Sequence, residues 1–109
     1  MATTYKVLGQ VAPAATTNTT LYTVPSATSA VCSTLVVCNR GLSQVNFRVA
    51  VRPAGAAIAD SHYLIYDNFI AANDSVFLTL GITLATTDVI TVYSNSSTLT
   101  FSLFGSEIV

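Results

Sequence analysis

Turn-forming residues punctuate this sequence about every 8–12 residues, and short runs rich in Val, Ile, Thr, Tyr and Phe lie between them. In the clearest run, Val45–Arg52, valine and phenylalanine alternate with asparagine, arginine and alanine. A period of two is typical of a strand with one buried face. Lys and Glu, which favour helices, are nearly absent. The sequence therefore predicts an all-β protein, an antiparallel, jelly-roll-like β-sandwich of about eight strands.

The same rhythm locates the individual strands. They are predicted at residues 4–11, 19–24, 30–38, 45–52, 62–66, 75–80, 89–94 and from 98 onward. The run 30–38 is apolar on both of its faces, so we predict a central strand that is covered on both sides. Asp67 and Gly81 are predicted to end the fifth and sixth strands, and residues 95–97 to form a hairpin turn. The predicted core packs the third strand against Val45, Phe47, Val49, Val51, Leu99, Phe101 and Leu103.

No shift in composition divides the chain, so residues 1–109 are predicted to form a single β-sandwich domain. The segment 1–24 is rich in Pro, Ala and Thr, and such a segment packs a core poorly by itself. It is therefore a candidate attachment arm or exchanged strand.

Charged residues are scarce. Four Lys and Arg and five Asp and Glu make up 8% of the chain, against about 25% in typical soluble domains. High hydrophobicity and a net charge of -1 exclude an intrinsically disordered chain, and the balance of signs argues against a nucleic-acid-binding protein. So few charges cannot cover the surface of an independent monomer. We therefore predict that apolar surface contacts a partner, beginning with other copies of the chain in a homo-oligomer.

Membrane segments are not expected. The longest uncharged stretch, residues 7–39, is interrupted by Pro13, Pro25 and many Thr and Ser, so it lacks the roughly 20 apolar residues that span a bilayer. The first residues contain no basic segment followed by an apolar block, as a signal peptide would. We therefore expect a protein that is made in a cytoplasm.

The two cysteines, Cys32 and Cys38, fall on one predicted strand. Six residues of regular strand would hold them roughly 20 Å apart and on the same face. A disulfide requires Cα atoms within about 7 Å, so the strand cannot bridge its own cysteines. We predict that both thiols are reduced and buried, and that they form no metal or redox site.

Side chains suited to catalysis are few. His62 is the only histidine, and it follows Asp60 and Ser61 in an order that resembles a catalytic triad. Neighbours on a strand point to opposite faces, which works against a triad. The aspartates lie in or beside predicted turns, where they bind nearby backbone, although Asp67 or Asp74 could instead serve a calcium site. We predict a protein that is not an enzyme and that holds no cofactor or metal.

Arg48 and Arg52 share the predicted outer face of the fourth strand. In one interpretation they are solvated charges that keep the strand soluble. In the other they pair with carboxylates of a partner, a role that the forked guanidinium group fills well. These two arginines are the predicted partner contacts.

Several segments together resemble a family of small virion structural proteins of tailed bacteriophages, frequent among aquatic phages and cyanophages. They are Leu21-Tyr-Thr-Val-Pro25, Val37-Cys-Asn-Arg-Gly41, Phe47-Arg-Val-Ala-Val-Arg-Pro-Ala-Gly55, Tyr66-Asp67 with Ala71-Ala-Asn-Asp74, Leu80-Gly-Ile-Thr-Leu84 and Phe104-Gly-Ser-Glu-Ile108. The resemblance covers about residues 21–108 and carries no catalytic motif. It implies a β-sandwich that is assembled in the host cytoplasm and attaches to other capsid or tail proteins of a virion as a symmetric oligomer, with a trimer favoured.

Three functions follow from the residues and the resemblance. The first is a capsid decoration or cement protein, and the second is a tail, neck or fibre accessory protein. Copy number in the virion separates these two, because a shell holds many more copies than a tail axis. The third is a carbohydrate-binding module for host recognition, which would need Tyr63 and Tyr66 as exposed platforms.

Overall fold

A computed structural model describes residues 2–109 and shows an all-β protein. Residue 1, the first of the candidate arm, lies outside the described residues. Two short 3-10 turns, Pro53–Gly55 and Asp60–His62, lie between the fourth and fifth strands. The strands are β1 (Thr3–Val11), β2 (Thr19–Thr23), β3 (Ser29–Asn39), β4 (Val45–Arg52), β5 (Tyr63–Ile70), β6 (Ser75–Leu84), β7 (Val89–Ser94) and β8 (Leu99–Ile108).

The strands form two four-stranded antiparallel sheets, in the orders β1-β8-β3-β6 and β2-β7-β4-β5. The pairs β1–β8, β2–β7, β3–β6 and β4–β5 are nested, as in one long hairpin that has been rolled up. This connectivity is that of an eight-stranded jelly roll, and it confirms the predicted sandwich. The predicted hairpin at residues 95–97 is wrong, because β7 and β8 belong to different sheets and this turn carries the chain across the sandwich.

The core lies between the two sheets. Phe47 of β4 and Phe101 of β8 meet edge to face with ring centroids 6.1 Å apart, and both are fully buried. Val51, near the end of β4, is half-buried and packs against the same cluster. The remaining predicted core residues are all buried, namely Val45, Val49, Leu99 and Leu103.

Two residues predicted to end strands lie inside longer ones. Asp67 has a φ of 53° but β5 continues to Ile70, and Gly81 has a φ of 66° but β6 continues to Leu84. Each sits where the pairing register with the neighbouring strand shifts. A residue in the left-handed region therefore marks a β-bulge at these two positions, and not the end of a strand.

A third bulge lies in β3 and separates the two cysteines. Cys32 pairs with Gly105 of β8, but Thr34 pairs with the next residue, Phe104, so Ser33 has no counterpart. The extra residue shifts the alternation of faces. Cys32 therefore points into the core, whereas Cys38 points outward and is half-buried, so the prediction of one shared, buried face is wrong. Both thiols are free, and burial raises the pKa of Cys32 to about 11.

Candidate functional site

The outer face of the β1-β8-β3-β6 sheet displays no charged side chain among the residues that the structure describes. We call it the uncharged face. Strand register and exposure define its members. They are Thr3, Tyr5, Val7 and Gln10 of β1, Thr100, Ser102, Phe104, Ser106 and Ile108 of β8, Ser29, Val31, Ser33, Thr34, Val36 and Cys38 of β3, and Ser75, Phe77, Thr79 and Thr83 of β6.

Apolar side chains are interspersed with Ser and Thr across the uncharged face. Tyr5 is 84% exposed and Phe77 is 71% exposed, although both are large hydrophobic residues, and they lie on the edge strands β1 and β6. Val7 lies opposite Phe104, and Val36 lies opposite Phe77. Each of the four strands therefore leaves apolar surface in contact with water.

The position of β3 explains this exposure. As predicted, β3 is a central strand, with β8 on one side and β6 on the other. Its inner face is buried, but on its outer face Val31 and Val36 are only half-buried. The prediction that both faces are covered is therefore wrong for the single chain, which covers one face and leaves the other open.

The charged residues of the chain lie elsewhere. Lys6 and Glu107 belong to strands of this sheet but take its inward register, although the Lys6 side chain, on the edge strand β1, is still 44% exposed. Arg40 and Asp74 flank the face, one residue beyond the ends of β3 and β6. Protein–protein interfaces are likewise depleted of charge at their core and carry their charges at the rim.

Tyr22, Lys6 and Glu107 form a polar clamp between the two sheets. The Tyr22 hydroxyl of β2 donates a hydrogen bond to Glu107 Oε2 at 2.6 Å, and Lys6 Nζ of β1 lies 3.0 Å from Glu107 Oε1. The hydrogen bond from Tyr22 and the one from Lys6 hold the pKa of Glu107 below its usual range. Burial and the bond to Glu107 raise the pKa of Tyr22 above its usual range. The clamp is therefore strongest while the carboxylate is ionised and the phenol is protonated.

We expect the clamp to make stability depend on pH. A carboxyl with a lowered folded pKa stabilises the fold above its unfolded pKa of about 4.3, and this contribution is lost as the pH falls through the folded value. The difference in urea midpoint between wild type and Glu107→Gln should therefore be largest near neutral pH and shrink in acid. Asp60→Asn, which changes a carboxyl in an exposed turn, is the matched control. A difference for Glu107→Gln that stays constant down to pH 3 would contradict this account.

The two predicted partner contacts lie on the outer face of the other sheet. Arg48 donates two hydrogen bonds to the Asp67 carboxylate, at 2.6 and 3.2 Å. Its guanidinium carbon also lies 4.2 Å from the ring centroid of Tyr66 and 4.3 Å from that of Tyr93. The bulge in β5 makes this possible, because Tyr66 and Asp67 both lie opposite Arg48.

Arg52 is also engaged within its own chain. Its Nε donates to the Thr91 hydroxyl at 3.0 Å, and its Nη1 donates to the Ala56 carbonyl at 3.1 Å. Both arginines thus lie on one outer face, as the alternation of side chains along the strand predicts. Each also forms hydrogen bonds within its own chain, which the local sequence does not reveal. Contact of Arg48 and Arg52 with a partner protein stays a prediction.

The other candidate residues serve local structure. His62 Nδ1 accepts the Ala59 N–H at 3.1 Å and closes the second 3-10 turn. Asp74 accepts the N–H of Ser75 at 2.9 Å, whereas Asp67 binds Arg48. Tyr66 is 58% exposed, and Tyr63 contacts it edge to face at 4.9 Å. Within residues 2–109, no three side chains among His, Cys, Asp and Glu come together as a metal site would require.

Sequence comparison with known proteins adds no functional information to these observations. No protein-family model matches the chain, and neither does any curated protein sequence. Over residues 2–109, no helix has the length and apolar character needed to cross a membrane.

Proposed function

We propose that this chain is a non-enzymatic structural protein of a phage virion, a capsid decoration protein that binds the particle surface as an oligomer. The uncharged face is the observation that carries the proposal. It exposes Phe77 and Tyr5 and leaves the outer side of β3 uncovered, without a charged side chain among the described residues of the face. Contact through such a face strips no ionic group of water. The face therefore suits broad and permanent contact with neighbouring proteins.

The size of the face fits a stable interface. Four strands spaced about 4.8 Å apart, each with about ten residues at roughly 3.3 Å per residue, give a projected area on the order of 600 Å². The accessible area of a surface with protruding side chains is larger than its projection. A standard interface buries about 800 Å² on each partner. Full coverage by a second copy or by a capsid subunit would thus reach the range of specific complexes.

The fold is compatible with this proposed function but does not by itself identify it. Jelly rolls are common in viral capsid proteins and also in lectins. This is an analogy at the level of fold, and functions differ widely among proteins of one fold. The resemblance to small phage virion proteins therefore remains the reason for naming a virion, and the uncharged face is the reason for naming an assembly role.

The choice between capsid and tail depends on the number of copies. Quantitative mass spectrometry of purified virions, with the major capsid protein as the internal reference, measures that number. We expect hundreds of copies for a decoration protein, whereas a tail, neck or fibre accessory would give a small multiple of three or six. Absence of the chain from purified virions would overturn the virion assignment.

A glycan-binding module is the weaker alternative. Tyr66 is exposed enough to meet a ligand, but Arg48 lies over its ring and Tyr63 contacts it from the side. A sugar that stacks on aromatic rings would have to compete with these contacts. The arrangement favours a cluster that stabilises the sheet.

A charge placed on the uncharged face should prevent assembly. For Phe77→Asp we expect the fold to persist, but oligomerisation and binding to particles that lack this protein should weaken by more than about a hundredfold. Burial of an unpaired carboxylate costs several kcal/mol, and each ~1.4 kcal/mol is a factor of ten. Light scattering measures the oligomer, and co-sedimentation measures particle binding.

Phe69→Asp is the matched control. Phe69 is 63% exposed, close to the 71% of Phe77, but it belongs to β5 in the other sheet. Because the proposal places assembly on the uncharged face, we expect this variant to assemble and bind as the wild type does. A loss for Phe69→Asp alone would instead favour contact through the face that carries Arg48 and Arg52. Equal loss in both variants, or no loss in either, would contradict the choice of face.

A further inference from the structure

Strand β1 differs from the other strands in how it is held. Among its nine residues only Leu8 is buried, and six are exposed. Strand β8, its partner, has no exposed residue over its ten positions. The hydrophobic core therefore depends little on β1, which lies at an edge of its sheet.

Almost every polar contact of β1 goes to β8. The two strands pair from Thr3 opposite Ile108 to Val11 opposite Phe101. Lys6 bonds Glu107, and Gln10 Nε2 donates to Ser102 Oγ at 3.3 Å. Hydrogen bonds between the backbones of Ala2 and Val109, at 3.1 and 2.9 Å, extend the ladder beyond both strands. Strand β1 is thus attached to one neighbour along its whole length, as an added strand is in β-augmentation.

The loop between β1 and β2 is strained. It spans residues 12–18 and includes Pro13. Thr16 adopts a φ of 54°, a left-handed conformation that is an outlier for a β-branched residue. Strain in a connecting loop favours domain swapping, because an extended hinge releases the strain. Opening this loop also gives up the hydrogen bond that the Thr16 N–H donates to the Ser94 carbonyl, at 2.8 Å.

We propose that β1 is exchanged between two copies of this chain, so that β1 of each copy pairs with β8 of the other. A second copy fits because its β8 presents the same register, the same Glu107 and the same Ser102. The exchanged dimer forms again every bond between β1 and β8 of the closed monomer, and it removes the need for the strained loop. This inference concerns the backbone pairing between β1 and β8 and does not depend on the virion assignment.

A pair of cysteines across β1 and β8 tests the exchange. Gln10→Cys with Ser102→Cys places two thiols at positions that face each other in register, in a Cys38→Ser background that removes the half-buried native thiol. The protein is purified in reductant, oxidised and run on a non-reducing gel. Exchange predicts a covalent dimer at twice the 11.4 kDa of the monomer, whereas a closed chain gives only an intrachain disulfide.

Phe77→Asp added to the pair separates exchange from contact through the uncharged face, on which both positions lie. If copies met only face to face, this substitution would abolish the covalent dimer. A covalent dimer that persists with Phe77→Asp would support strand exchange. An intrachain bond alone in the pair would overturn it, and this outcome leaves the Phe77→Asp experiment unaffected.

A change in the hinge provides the second measurement. Thr16→Gly in the same background relieves the positive φ, because glycine adopts that conformation at no steric cost. The share of covalent dimer should fall relative to the parent pair. An unchanged share would contradict the role given to the strained loop.

Discussion

Truncation of Phe47 to alanine is expected to lower the free energy of unfolding by about 3–5 kcal/mol. Its ring is fully buried and meets Phe101 of the opposite sheet at 6.1 Å. Removal of the ring leaves a cavity between two sheets whose backbones are held by their hydrogen-bond ladders, so the site can collapse only in part. A loss of this size is a large fraction of the total stability of a small domain.

Urea denaturation followed by circular dichroism measures the loss, with Phe101→Ala as its counterpart in the other sheet. Phe77→Ala is the matched control, because it removes the same ring from an exposed position of β6. We expect that control to change stability by no more than about 0.5 kcal/mol in the monomer. A cost below about 1 kcal/mol for Phe47→Ala would mean that the inner and outer faces of β4 have been exchanged.

Replacement of Gly105 by alanine should be among the most damaging single-methyl additions in the chain. Gly105 lies in β8 opposite Cys32, beside the bulge in β3. A Cβ at this position would overlap the backbone carbonyl oxygen of Val31. Backbone in the centre of a sheet cannot move aside as a flexible side chain can. We expect a cost of about 1–3 kcal/mol or more, typical of overpacking.

The control for Gly105→Ala is Ser102→Ala on the outer face of the same strand. It removes one hydroxyl from the surface and should cost no more than about 0.5 kcal/mol. Thermal unfolding of both variants, followed at equal protein concentration, gives the comparison. Equal stability of the two variants would show that the close approach of β3 and β8 at Gly105 is absent.

The strands themselves follow from local pattern. The bounds predicted for the fourth and seventh strands agree with the structure at both ends, because the turn residues that flank both strands are a property of the chain alone. The inward residues of β4 and β8 form the core because the alternation of faces along each strand is local as well. A charge count of nine in 109 residues likewise predicts that apolar surface stays exposed, whatever the topology.

The bulges do not follow from local pattern. Ser33, Asp67 and Gly81 interrupt the register of long strands, and a bulge exists only relative to the strand that pairs with it. One such residue sends Cys38 to the outer face, away from Cys32. The bulge in β5 brings Asp67 to Arg48. The sequence predicted that this aspartate ends a strand, but in the structure it accepts a hydrogen bond from Arg48.

The sequence alone thus determined the fold class, the core residues of the fourth and last strands and the scarcity of charge, because each depends on composition or on a period of two along one strand. Only the tertiary structure decided which strands are neighbours and which apolar side chains meet on one surface. The uncharged face joins β1, β3, β6 and β8, whose members are far apart in the chain. Its existence depends on the nested pairing of a jelly roll, in which contacts between distant strands, and not between successive ones, set what this face displays.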